Sequence, residues 1–277
     1  MKKQIIVIVG PTASGKSEYA VKLAKKLKGE IISADSRQVY KGLDIGTAKV
    51  KGQLCTDIAD LKKTSSVVLW EKCAEEAIDT IYRIGKIPII VGGTMFYIKA
   101  LVDGLVLPQV GPNLKLRKKL EKLSPKHLFK ILKKKDPSRA KTIEPKNKRR
   151  LIRALEIIKV LGKVPKLKNP PAGGKKYDAE FIGIKRTLEE SKKRIEKRTR
   201  GMLKNSLLAE LKKLRYSGLS WKRIYEFGFE YKYPALYLQK KISKKEMIDS
   251  INKETLAYTR RQMLWWKNDK RIKWIRI

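Results

Sequence analysis

Residues Gly10, Pro11, Thr12, Ala13, Ser14, Gly15, Lys16 and Ser17 carry the sharpest chemical signal in the sequence. Their spacing is G-x-x-x-x-G-K-[ST]. In such a loop, glycines let the backbone curl until successive N–H groups face an anion, the lysine adds a positive point charge, and the hydroxyl suits a Mg2+ ligand. These eight residues are therefore expected to hold a phosphate chain, with Ser17 as metal ligand and Mg2+ as the metal. Whether the chain belongs to a nucleotide is a separate question. A nucleotide-hydrolysing relative usually carries a second strand that ends in a Mg2+-holding Asp. Here "IPIIV" runs instead into Gly92-Gly93-Thr94. A carboxylate does stand after another apolar run, as Asp35 in "ISADSRQVYKGLDIGTAK". In an open parallel sheet that position lies beside the phosphate loop, because sites form at the carboxyl ends of strands. A strand-end turn or helix cap is the alternative role for an Asp followed by Ser.

The elements around these residues read as alternating strand and helix. Ile5 to Val9 is an unbroken β-branched run, the pattern of a strand buried on both faces. After the loop, Tyr19, Ala20, Leu23, Ala24 and Leu27 recur at helical spacing up to Gly29. "EIISAD" (30–35) and "IPIIVGG" (87–93) repeat the buried-strand signature, and between them Trp70, Ala74, Ala77, Ile78 and Ile81 share one helical face. Alternation of this kind predicts an α/β fold, a P-loop NTPase-like parallel sheet core. From about Pro112 the chain becomes helical and densely basic, and it ends in a Pro/Gly-rich connector. This predicts a helical insertion over 112–176, with 1–111 and 177–277 forming the core. "EFIGIKR" (180–186) returns to strand character. A long basic helix is expected around Ser191 to Leu214, then another opening with Ser243 and Glu246 in capping-box spacing.

Lys+Arg number 67 against 27 Asp+Glu, a formal net charge of +40 with a pI near 10.2. So large an excess points to a polyanionic partner, nucleic acid foremost. Hydrophobic residues make up 42% of the chain, enough for a real core. His127 is the single histidine, so a His dyad or a His-based metal site is excluded, and it reads as a partly exposed helix residue. Cys55 and Cys73 lack metal-ligand spacing and read as reduced, buried thiols of a cytosolic protein. The apolar run after Met1 is too short for a signal segment, and no apolar run reaches membrane-spanning length. A cytoplasmic protein with no membrane partner is expected.

"GPTASGKS", "SADSRQVYKGLDIGTAK", "VGGTMFYIKAL" and "RRLIRALEI", in this order, resemble the tRNA dimethylallyltransferase family. The likeness continues through "IGIKRTLEESKKRIEKRTRGM" to "YTRRQMLWWKND" and so covers nearly the whole chain. It implies transfer of the dimethylallyl group of dimethylallyl diphosphate to the N6 amine of the adenosine 3′-adjacent to the anticodon. The P-loop would then hold the donor's diphosphate, a leaving group, and no nucleotide would be consumed. The partners implied are tRNA, through its anticodon stem-loop, and dimethylallyl diphosphate, with the enzyme a monomer. Residue by residue, Asp35 matches the general base, and Thr12, Lys16, Ser17 and Mg2+ match the diphosphate cradle. Arg198 falls where the family places an arginine facing the diphosphate. Asp35, Ser36, Arg37 and Gln38 would meet the target nucleotide. Thr94, Arg117, Arg149, Arg150 and Arg153 match positions around the tRNA. Arg149 and Arg153 stand one helical turn apart and could reach successive phosphates.

The chain also departs from the family pattern. A His-His-Leu stretch is missing before "CTDIADLKKTSS", Lys146-Asn147 replaces an Asn-Asp, and "FGFEYKY" replaces Ile-Gly-Tyr-Lys-Glu. The rival readings are a nucleotide kinase or an AMP-directed prenyltransferase on a similar core, and a non-catalytic RNA-binding protein. The first two have no need of +40 charge, and intact Lys16, Ser17 and Asp35 argue against the third.

Overall fold

The structure, a computed structural model, describes residues 2–165 and 176–277. The chain forms two compact units, Met1–Gly104 with Ala172–Ile277, and Leu105–Pro171. The Pro/Gly-rich connector of the sequence analysis falls almost wholly outside the described residues.

In the first unit β1 (Lys3–Val9) leads through the phosphate loop into α1 (Lys16–Leu27), which returns to β2 (Glu30–Ser33). A long loop follows, then α2 (Val67–Arg83), β3 (Pro88–Val91) and α3 (Met95–Asp103). The Leu105–Pro171 unit holds α4 (Leu114–Leu120), α5 (Pro125–Lys135), the single turn α6 (Pro137–Ala140) and α7 (Lys148–Leu161). The first unit resumes with β4 (Tyr177–Ile184), α8 (Leu188–Lys204), α9 (Leu207–Tyr216), α10 (Trp221–Tyr225), α11 (Phe229–Leu238), α12 (Lys244–Trp266) and β5 (Ile272–Ile275).

All strand pairings are parallel, in the order β2-β3-β1-β4-β5, with Val7 opposite both Ile90 and Phe181. The period-two side-chain alternation of β1 divides the core. Ile5, Val7 and Val9 join Ile32, Ile90, Trp70 and Ile78 on one face, while Ile8 joins Ala20, Ile89 and Ile184 under α1 on the other. β1 and β4 are neighbours whose onward connections diverge, from β1 toward β2 at one edge and from β4 toward β5 at the other. A crevice therefore opens at the carboxyl ends of the strands.

Two expectations need correction. The predicted helix over Ser191 to Leu214 is two helices, broken where Ser206 takes a left-handed φ of 69° and its preceding Asn205 closes α8. Cys55 and Cys73 are joined in a disulfide with Cα atoms 5.8 Å apart. The loop after β2 runs back beside that strand, with Leu54 N–H donating to Ile31 O and Ser33 N–H to Leu54 O. Left-handed backbone at Cys55 then turns its side chain toward α2, where Cys73 lies. β5 is an element the sequence reading did not contain. No helix among the described residues is long and apolar enough to cross a membrane.

The insertion builds its own core from Leu128, Leu132, Leu151, Leu155 and Ile158. At its centre Glu156, whose side chain is fully buried, receives Arg117 in a two-pronged pair at 2.7 and 2.8 Å. Asn113 N–H donates to the same carboxylate at 2.9 Å and Arg153 at 3.4 Å.

Candidate active site

The loops after β1, β2, β3 and β4 meet at the crevice. Gly10 (φ 150°) lets the phosphate loop pass β4 so closely that a Cβ would stand 2.7 Å from Ile184 O. Gly92 is as constrained, since a Cβ would fall 2.1 Å from Ala34 O. The exits of β2 and β3 are thereby pressed together, and Ala34 N–H donates to Val91 O while Thr94 N–H donates to Ala34 O. α1 begins at Gly15 (φ 97°) with no side-chain cap, so its first N–H groups remain available to an anion. Two arginines from α8 and its approach brace the loop from outside. Arg186 Nε donates to Ser14 O at 3.1 Å, and Arg194 Nε to Ala13 O at 2.8 Å.

Asp35 sits at the exit of β2, and its Oδ1 accepts from Arg37 N–H at 2.8 Å and Gln38 N–H at 3.4 Å. The turn-forming role and the chemical role of Asp35 are therefore compatible: one oxygen organises the turn, and Oδ2 has no part in it. Lys16 lies within the field of both Asp35 and Arg198. Desolvation lowers its ammonium to about 8, with Asp35 opposing that fall and Arg198 adding to it. Glu230, at the start of α11, belongs to the same cluster. Desolvation raises its carboxyl to about 6, against the pull of Arg198 and Arg37. Tyr258 on α12 is raised to about 12, first by desolvation and then by Asp35. One small region thus gathers Asp35, Lys16, Arg198, Arg37 and Glu230. Such mutual perturbation marks sites where charge is arranged for chemistry.

The neighbouring residues of the β2 loop have structural partners. Thr94 Oγ1 accepts from Ser36 N–H at 3.0 Å. Gln38 is buried, accepting from Ser33 Oγ at 2.6 Å and donating to Thr47 O at 3.0 Å. Arg37 donates to Glu226 O at 2.8 Å. In the insertion, Arg117 is engaged by Glu156, and Arg153 also donates to Val110 O at 2.7 Å. Arg149 and Arg150 are exposed near the start of α7. Asp44, a second acidic residue of the β2 loop, is exposed and paired with Lys49 at 2.6 Å.

Sequence reasoning missed Gln262, Glu230, Arg186 and Arg194. Gln262 is buried on α12 beside the phosphate loop, accepting from Thr12 N–H at 2.8 Å. Its motif, "YTRRQM", was visible, but nothing in the spacing says which residue of a helical run faces a loop 250 positions earlier. For a metal, the donor set is sparse. No group of three His, Cys, Asp or Glu among the described residues could cage an ion. Ser17 at the start of α1 and the buried, unpartnered Ser14 Oγ are hydroxyls. This set fits Mg2+ shared with a bound diphosphate, because Mg2+ keeps waters and binds through few protein ligands plus substrate oxygens.

A parallel sheet with a phosphate loop after its first strand defines a P-loop α/β fold. The model of the IPP transferase family matches residues 38–269, and the chain belongs to that family. A tRNA dimethylallyltransferase of Halothermothrix orenii is 36% identical over 288 residues, covering 99% of this chain and 87% of that protein. Among solved structures, the full-length tRNA isopentenylpyrophosphate transferase of Bacillus halodurans superposes with a TM-score of 0.72 at 33% identity, covering 99% of this chain and 90% of the other. A eukaryotic dimethylallyltransferase captured acting on tRNA gives a TM-score of 0.81 at 28% identity, over 99% of this chain and 74% of the other.

Proposed function

We propose that this protein is a tRNA prenyltransferase, moving the dimethylallyl group of dimethylallyl diphosphate to the N6 amine of the adenosine 3′-adjacent to the anticodon. The observation that carries the reading is the convergence of Asp35, Lys16 and Arg198 at the mouth of a phosphate loop whose third strand ends in Gly92-Gly93. The names of the relatives support it. In the reaction, the adenine nitrogen forms a bond to the allylic carbon as the carbon–oxygen bond to diphosphate breaks, and the diphosphate leaves with the electron pair. Asp35 accepts the amine proton. Lys16, Arg198 and the N–H groups of the loop and α1 receive the charge that grows on the departing oxygens, an interaction stronger in the transition state than before it. Mg2+, held by Ser17 and the diphosphate itself, would neutralise more of that charge. The exposed basic face of α7, with Arg149 and Arg150, suits the phosphates of an anticodon stem. The enzyme works as a monomer in the cytoplasm.

The test is to incubate the protein with dimethylallyl diphosphate, Mg2+ and a tRNA transcript, then digest the product and look for N6-dimethylallyladenosine by mass spectrometry. The modified nucleoside should form, and should disappear when the adenosine beside the anticodon is replaced by guanosine. Its absence from the unaltered transcript would overturn the proposal.

A further inference from the structure

We propose that Gln262 limits the anion site to a diphosphate, its carboxamide holding the end of the phosphate loop where a third phosphoryl group would have to sit. This rests on the reading that the loop takes a diphosphate, and adds what excludes a longer chain.

Gln262 is 1% exposed, a buried neutral amide beside the phosphate loop. Its Oε1 accepts both from Thr12 N–H at 2.8 Å and from the Thr12 hydroxyl at 3.1 Å, and its Nε2 donates to Gly93 O at 3.1 Å. Thr12 is the third residue of the loop, ahead of the residues that lead into α1. A phosphate loop extends its cradle to a further phosphoryl group through its remaining N–H donors and its lysine. The Thr12 N–H and hydroxyl, which the family resemblance assigns to the diphosphate cradle, are bound to Gln262 here instead, so they are not free to extend it. The lysine is close by as well. A Cβ placed on Gly93 would lie 2.2 Å from Gln262 Nε2 and 4.0 Å from Lys16 Nζ, so the amide and the ammonium flank the same point. That proximity also explains the glycine. Where a nucleotide-hydrolysing protein carries a Mg2+-holding acid after this strand, Gly93 leaves space that the Gln262 side chain fills.

A third phosphoryl group would have to displace a buried amide held by three hydrogen bonds, two partly buried and one fully buried, and leave part of it without partners. Stranding a buried polar group in this way weakens binding by roughly 10- to 100-fold. Charge alone would act in the opposite direction, because a longer polyphosphate carries more negative charge into a positive site. The sign of the preference therefore separates the two effects.

The experiment uses the full chain with Mg2+ and no tRNA. Calorimetry measures the affinities of inorganic pyrophosphate and inorganic tripolyphosphate for the wild type, Gln262→Ala and Gln262→Asn, the last too short to span Thr12 and Gly93. The wild type should prefer pyrophosphate by roughly 10-fold or more, and each folded variant should narrow or reverse that ratio by a similar factor. A wild type that binds tripolyphosphate as well as pyrophosphate overturns the proposal without any variant. So does a variant with a cooperative melt that keeps the wild-type ratio. Because the ligands are inorganic anions, failure here is distinct from failure of prenyl transfer, which the tRNA assay reads.

Discussion

Replacing Lys16 with methionine should make the unliganded protein more stable while damaging its anion site. Desolvation brings the Lys16 ammonium from its usual 10.5 to about 8. At about 1.4 kcal/mol per pH unit, holding the charge in the folded, empty site costs on the order of 3 kcal/mol at neutral pH. Asp35 and Arg198 are already included in that figure, one relieving the cost and the other adding to it. Methionine removes the charge and keeps the stem, and it loses the hydrogen bond from Nζ to Pro11 O at 3.2 Å. That bond contributes about 1 kcal/mol. The net expectation at pH 7 is a gain of about 2 kcal/mol, several degrees in Tm. The pH dependence provides the control. Between about 8 and 10.5 the unfolded chain binds a proton that the folded chain has released, so wild-type stability rises through that window and the cost of the lysine fades. The advantage of Lys16→Met should thus be greatest below pH 8 and shrink toward pH 10. Binding should move the other way. Pyrophosphate favours the ammonium, so wild-type affinity should weaken as pH rises through about 8, and the variant should bind weakly without that break. Thermal or urea unfolding from pH 6 to 10, with calorimetry at the same pH values, measures both. A variant less stable than wild type at pH 7, or a stability difference that does not change with pH, would refute the claim that the lysine is held charged at a cost.

Asp35→Asn keeps an oxygen for the Arg37 and Gln38 N–H groups, so its melting temperature and tRNA affinity should stay near wild type while single-turnover transfer falls by about 10²- to 10⁴-fold. Retained turnover would remove Asp35 as the base. Glu156→Gln should loosen the Leu105–Pro171 unit by about 1–3 kcal/mol, read by hydrogen exchange there, because Arg117 and Arg153 lose their charged partner. Burial raises the Glu156 carboxyl, but hydrogen bonds from Arg117, Asn113 and Arg153 more than offset this and hold it below 4.5. Its contribution should therefore be present above pH 4.5 and be lost as pH falls through its lowered value. Cys55 and Cys73 should show no free thiol before reduction and two after it. Reduction of a link across 18 residues should lower stability by about 3 kcal/mol, seen as a lower Tm. Neutralising Arg149 and Arg150 together should reduce the salt slope of tRNA binding by about one unit for each phosphate that an arginine no longer neutralises; an unchanged slope would leave them as solvated helix residues.

Local features of the fold were readable because local physics fixes them. The β-branched run of Ile5 to Val9 has no other use than a strand buried on both faces, and it lies between β3 and β4. The face of Trp70, Ala74 and Ile78 is buried as its spacing requires, and Ser243 and Glu246 form the capping box of α12. What escaped the sequence depends on interactions between residues distant along the chain. Arg194 reaches the phosphate loop across 181 positions and Gln262 across 250, and no period in either helix points to the loop. The break between α8 and α9 rests on one left-handed serine within a pattern that otherwise continues. The disulfide depends on how the loop after β2 folds back, which residue spacing alone does not report. Arg117, which motif matching assigns to the tRNA surroundings, also has a structural partner that its spacing did not show, the buried Glu156.

On the function proposed, the P-loop serves a prenyl diphosphate whose acceptor is tRNA, and a competition between acceptors measures this without intermediaries. The protein is supplied with radiolabelled dimethylallyl diphosphate and Mg2+, with unmodified tRNA and AMP present together, and label is counted in each acceptor after separation, with and without ATP. Label should enter tRNA and not AMP, one pyrophosphate should be released per group transferred, and omitting ATP should have no effect. Label in AMP, or transfer that requires ATP hydrolysis, would contradict the proposed function.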